Sequence, residues 1–227
     1  MYKKLITACM AIAAFAAFVL PATASAANDP QLTDATGTVA VGSTIVGENV
    51  GNTVFWNTST NIELAICDKA FLTGKVLKNA SGTVEGEITT ATFAGTGSVH
   101  SHNNEKECTG DIGSSYVTVK SLPLIVKSTP TMAEHEAQIT GPAGANVKFL
   151  LGSTTAGECE YESATSIKAD YTTGTSATSD STMTTRDTSA GSGAKLIRGG
   201  FLCPSSGMLR MTFTMKTDAT GAPLWIS

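Results

Sequence analysis

The chain is short of aromatic and basic material. Two tryptophans, four tyrosines and eight phenylalanines are spread over 227 residues, and 15 lysines and arginines stand against 19 acidic side chains. That balance argues against nucleic acid as a ligand, because a phosphate backbone requires a basic face. Only three histidines are present, so general-base and metal-ligand chemistry have few residues to draw on. There is no G-x-S-x-G elbow and no H-E-x-x-H helix motif, which removes the commonest esterase and zinc-protease designs. Beyond residue 20 no apolar run approaches the roughly 20 residues of a spanning helix, and no long stretch keeps a helical period.

What is present begins with a leader. Lys3 and Lys4 precede an uncharged run over residues 5–20, Pro21 breaks it, and Ala24, Ser25 and Ala26 supply small residues. This layout predicts a secretory signal peptide over residues 1–26, cleaved near Ala26. Ile6-Thr7-Ala8-Cys9 has the letters of a lipobox, but it lies before most of the apolar run rather than at its end, so Cys9 is not read as a lipid anchor. The mature chain then has 201 residues, with 13 basic and 19 acidic side chains. It is expected to be secreted, extracellular and free of the membrane. Its strand-like final residues, with no tail or anchor, suggest a complete module.

Cys67, Cys108, Cys159 and Cys203 remain after processing. An even number in an exported chain reads as two disulfides, for which three pairings exist. A four-cysteine zinc site would bring its ligands in close pairs such as C-x-x-C, whereas here the nearest cysteines are 41 residues apart. The spacing also repeats. Cys67 to Cys108 is 41 residues and Cys159 to Cys203 is 44, while Cys67 to Cys159 is 92 and Cys108 to Cys203 is 95. Around them, "IELAICDK" parallels "TAGECEYE", and "YVTVK" with "LPLIV" parallels "MLRMTFTMK" with "APLWIS". We read this as a duplication, with a first half over residues 27–127 and a second over residues 128–227. One bridge per half gives Cys67–Cys108 and Cys159–Cys203. Each closes a loop worth on the order of 4 kcal/mol in the chain-entropy estimate.

The strand signals agree. Leu209, Met211, Phe213 and Met215 alternate with polar neighbours, Val84, Gly86 and Ile88 do so more weakly, and Val147, Phe149 and Leu151 follow the turn "GPAGAN". A period of two buries one face of a strand and wets the other. Short strands between glycine-rich turns predict an all-β, antiparallel, sandwich-like fold. Residues 172–193, in which serine and threonine make up 13 of 22 positions, read as a loose hairpin or loop.

With these features placed, the segments "CDKAFLTGKVLKN", "ECTGDIGSSYVTVKSLPL", "GECEYES" and "CPSSGMLRMTFTM" resemble a group of secreted actinobacterial two-disulfide β proteins of unknown function. The resemblance covers nearly the whole mature chain and implies export, two disulfides and a β fold. It carries over no catalytic, cofactor-binding or metal-binding residue. Members often show a cysteine or tryptophan near the Leu-Pro-Leu position, where this chain has Leu124 and Ile125 after Pro123.

Several groups of residues are candidates for chemistry. On a strand, His100 and His102 would project from one face about 7 Å apart, with Glu105 or Glu107 as a third metal ligand. The count of converging ligands falls short of a supported site, so "VHSHNNEKEC" is read as a wet connection to Cys108. In Glu134-His135-Glu136 alternation separates the histidine from the glutamates, which suggests the charged start of an edge strand. Ser192 and Lys195 match S-x-x-K by letter only, in a glycine-rich loop. Trp56 and Trp225 are assigned to packing rather than to a carbohydrate platform. The expectation is a non-enzymatic binding or structural protein with no cofactor, and a cell-surface glycan or protein is the kind of partner expected. The alternatives are a hydrolase with His100, His102 or His135 as base, or a metal-binding protein.

Overall fold

β-Branched and aromatic residues alternating with polar ones, punctuated by glycine turns, leave no segment able to form an amphipathic helix. The structure, a computed structural model, describes residues 30–57, 59–95, 107–133, 135–172, 181–186, 193–218 and 221–226. Within them the protein is all-β, with antiparallel pairing throughout.

The strands are β1 (Leu32–Asp34), β2 (Gly37–Thr38), β3 (Thr44–Asn49), β4 (Thr53–Asn57), β5 (Ile62–Cys67) and β6 (Lys69–Ala80). They continue as β7 (Thr83–Ala94), β8 (Ser115–Val119), β9 (Leu124–Ser128), β10 (Glu136–Thr140), β11 (Lys148–Ser153) and β12 (Gly157–Ser163). The last six are β13 (Ile167–Tyr171), β14 (Thr182–Thr185), β15 (Gly193–Arg198), β16 (Ser206–Arg210), β17 (Thr212–Thr217) and β18 (Trp225–Ile226).

Eight of them close a barrel in the order β3-β6-β7-β9-β10-β13-β14-β17, with β17 returning to β3. A seven-stranded sheet runs β5-β4-β16-β15-β12-β11-β8, and a small sheet runs β18-β1-β2. Both large sheets draw strands from either side of residue 128. The sandwich-like expectation thus takes the form of a barrel lying against a sheet.

Particular residues set these junctions. Between β6 and β7 the two-residue turn Ser81-Gly82 has φ of 52° and 65°, the conformation that matches the twist of a tight hairpin. The alternation from Leu209 to Met215, which reads as one strand in sequence, is two. β16 lies in the seven-stranded sheet, Met211 marks the break, and β17 enters the barrel. Thr185 fastens the break: its hydroxyl donates to the Leu209 carbonyl at 2.8 Å and accepts from the Met211 amide at 3.1 Å.

One continuous core joins barrel and sheet. In it Phe55, Phe149 and Tyr161 pack with ring centroids 5.0–6.1 Å apart, at the separations aromatic pairs favour. Burial pushes the Tyr161 hydroxyl to a pKa well above its ordinary value. The disulfides Cys67–Cys108 and Cys159–Cys203 are both formed, with Cα separations of 4.6 and 5.7 Å, and all four cysteines are buried.

Candidate binding site

Alternation turns every second side chain of the barrel inward. Large inward residues such as Leu72, Ile139, Ile167 and Phe213 are buried, but Gly47, Gly74 and Gly86 contribute almost nothing to the filling. At Gly74 the chains approach so closely that a Cβ would sit 2.0 Å from the Glu87 carbonyl oxygen. Gly47 differs. A Cβ there would meet only ordinary contacts, 3.4 Å from Leu72 Cβ and 3.6 Å from Phe213 Cδ1. What remains is an interior cavity of about 50 Å³, walled by Ile45, Leu72, Val76, Val126 and Met215 among others. A second apolar cavity of about 30 Å³ lies between barrel and sheet and shares Leu72, Ile88 and Met183 with the first. About 50 Å³ exceeds the space one water molecule needs, but carbon walls give water too few partners to stay.

One end of the barrel abuts the seven-stranded sheet and the other is covered by the small sheet. Leu32 and Val39 from the N-terminal arm and Leu224 beside β18 are buried against Ile45 and Val76. The cap is latched by one side chain on β6. Asn79 Oδ1 accepts from the Leu32 amide at 2.8 Å, while its Nδ2 donates to the carbonyls of Leu32 at 2.7 Å and Val39 at 2.9 Å. These bonds satisfy groups that would otherwise be orphaned under the cap. Trp225 and Ile226 are half-buried in it.

The cavity has one hydroxyl near the capped end. Ser128 is among the residues bordering it, and its Oγ donates to the Glu136 carbonyl at 2.8 Å and lies 3.4 Å from the Tyr171 hydroxyl. Glu85 and Glu87 are the charged residues among those bordering it, ion-paired to Lys127 at 3.5 Å and Lys75 at 2.9 Å.

Glu136 forms a separate feature on the barrel wall. Its carboxylate, whose side chain is 5% exposed, meets Arg186 Nη1 at 2.6 Å, Lys168 Nζ at 3.4 Å and Gln138 Nε2 at 3.3 Å. Arg186 also holds Asp170 at 2.6 Å. Burial pushes the Glu136 carboxyl up, but the bond from Gln138, the bonds and charge of Arg186 and the bond from Lys168 outweigh it and leave it below the ordinary range. The edge-strand expectation for this segment is corrected here. β10 is paired on both sides, to β9 and β13, and Glu136 is a buried member of an ion cluster.

His135 is exposed at φ 60° on the turn before β10, with its ring 5.6 Å from that of Tyr171. Glu107 is half-buried beside Cys108. His100, His102, Glu105, Glu134 and Ser192 lie outside the described residues, and Lys195 is exposed on β15. Among the described residues no three histidine, cysteine or acidic side chains gather as metal ligands. Trp56 is half-buried, with the Arg210 guanidinium 5.6 Å from its ring. The Ser/Thr-rich stretch contributes β14, an integral barrel strand, where a loose hairpin or loop was expected. Met183 on that strand is buried and faces the cavity.

Sequence reasoning missed Ser128, Asn79, Gly47 and the Glu136–Arg186 pair. The weak alternation of Val84, Gly86 and Ile88, all of which border the cavity, was its one trace. No family model, curated protein or solved structure matches the chain.

Proposed function

We propose that the protein is an exported, non-enzymatic binding protein that carries a small apolar guest inside its eight-stranded barrel. The capped cavity carries this reading. Gly47 stands opposite Met215, and Met183 also borders the cavity; the unbranched side chains of both methionines can move to fit a guest. Barrels of this size either fill their interior or hold one small ligand, and this one is only partly filled.

Export is supported by the leader over residues 1–26 and by two disulfides, which persist in oxidising compartments. It agrees with the resemblance to secreted actinobacterial proteins. The duplication belongs to the same reading and is supported by topology. Around the barrel β3-β6-β7-β9 is followed by β10-β13-β14-β17, and in the sheet β5-β4-β16 is matched by β12-β11-β8. Cys67 lies on β5 and Cys159 on its counterpart β12, and their partners Cys108 and Cys203 lie in the segments before β8 and β16.

Titration with xenon, an apolar probe small enough for the cavity, followed by xenon NMR, tests the role. Saturable one-to-one binding with a displaced xenon resonance is expected, weakened about tenfold by the extra wall methyl of Gly47→Ala. Absence of saturable binding, or binding indifferent to Gly47→Ala, contradicts the reading.

A further inference from the structure

A surface cleft lies outside the barrel, where the N-terminal arm from β1 to the start of β3 passes the end of β17. Its volume is about 400 Å³, against about 50 Å³ for the barrel cavity, and the two share no bordering residue. Sites for small organic ligands begin at about 300 Å³. We infer that this cleft is a saccharide site, taking one sugar ring that is neutral or carries an amine. It is independent of the apolar-guest role.

Three observations carry it. The first is the chemistry of the border. Thr36, Thr38, Ser43, Thr44 and Thr217 bring hydroxyls to it, and each hydroxyl can both donate and accept. Thr36, Thr38 and Thr44 are exposed. Polar atoms supply a large part of the accessible wall, whereas the barrel cavity is walled almost wholly by carbon. A sugar ring presents the matching array of closely spaced hydroxyls.

The second is charge. Asp34 and Asp218 border the cleft, and no lysine, arginine or histidine does. Lys75, opposite Thr44 on β6, is already paired with Glu87 at 2.9 Å. Carboxylates only accept hydrogen bonds, so they receive the O–H groups of a diol or an ammonium and repel phosphate, sulfate and uronate. The Thr36 hydroxyl and amide donate to Asp34 Oδ1 at 2.6 and 2.7 Å. Those bonds hold the carboxyl below its ordinary pKa, so it is ionised at neutral pH.

The third is a frame pinned by main-chain bonds. The Asp218 amide donates to the Thr44 carbonyl at 3.2 Å, joining the end of β17 to β3. The Ser43 amide donates to the Ala40 carbonyl at 3.2 Å, and the Gly42 amide to the Val76 carbonyl at 2.8 Å. A preformed cleft loses little entropy when a guest enters. Val39 and Ala40 also border it and offer an apolar side to the C–H face of a ring. No aromatic ring borders it, so the expected affinity is modest, with a Kd of about 1 mM.

Amide chemical shifts of the mature chain, titrated separately with glucosamine below the pKa of its amine, glucose, glucuronate and calcium chloride, test the site. Saturable shifts are expected at the amides of Thr38, Ser43, Thr44 and Asp218, with glucosamine about fivefold tighter than glucose and glucuronate without effect. Asp218→Asn should bring the two binding sugars within about twofold of each other. Thr44→Val, which keeps a β-branched residue on the strand, should weaken both about fivefold. Gly47→Ala should change neither. Absence of saturable shifts at these amides, glucuronate binding as tightly as glucose, sugar binding indifferent to both cleft variants, or shifts produced by calcium alone would each overturn the inference. Failure with sugars while xenon binds removes this site alone; failure with xenon while sugars bind removes the barrel role alone.

Discussion

Glu136 combines near-complete burial with a negative charge, and only its neighbours make that tolerable. A buried charge that loses its partners is strongly destabilising, and here Lys168 on β13 and Arg186 just after β14 supply the partners. Glu136→Gln is therefore expected to cost about 2–3 kcal/mol at neutral pH, measured by urea denaturation. Because the folded carboxyl lies below its ordinary value of 4.5, its stabilising contribution is complete above that value and is lost as pH falls through the folded pKa. The variant should show a flatter decline of stability on acidification than the native chain. An unchanged acid limb would show that Glu136 is not the group responsible. None of this was legible in sequence. Arg186 is 50 residues away, inside a Ser/Thr-rich stretch that reads as irregular, and Glu136 carries the same letters as any solvated edge.

The elements were more legible than their partners. Alternation located the strands around Leu209, Val147 and Val84, because a half-buried strand writes its period into the chain. Barrel closure is not written that way. It depends on β17 meeting β3, with Phe213 opposite Asn49, a pairing of residues far apart in sequence for which neither strand has a local signal. Met211 illustrates the same limit: the alternation runs on unbroken through the point where the chain leaves one sheet for another. The cap is the element with fewest attachments, and Asn79 is its latch. Asn79→Ala leaves buried backbone groups of Leu32 and Val39 unsatisfied, at a cost of about 2 kcal/mol. Hydrogen exchange should then accelerate at the Leu32 amide while barrel amides such as that of Val46 keep their protection. Equal acceleration everywhere would mean that the cap and barrel unfold as one unit.

At the scale of the whole molecule, composition and architecture explain one another. A chain poor in aromatics cannot fill a barrel with large rings. It gathers three in the Phe55, Phe149 and Tyr161 cluster of the sheet, and beside Phe213 lines the barrel mostly with glycine, alanine, aliphatic residues and methionine. Two disulfides brace the seven-stranded sheet, tying β5 to the segment before β8 and β12 to the segment before β16, which suits the extracellular role proposed. The cysteine spacing made that framework readable, since two loops of similar length imply one bridge each. The cavity was unreadable, because emptiness is a sum over eight strands. Its occupancy is the central claim, and the most direct measurement is the crystal structure of the mature protein under xenon pressure. The account expects a xenon atom beneath the cap, between Leu72, Val76 and Met215. Ordered water in the barrel, or side chains closed over the space with no guest, would contradict it.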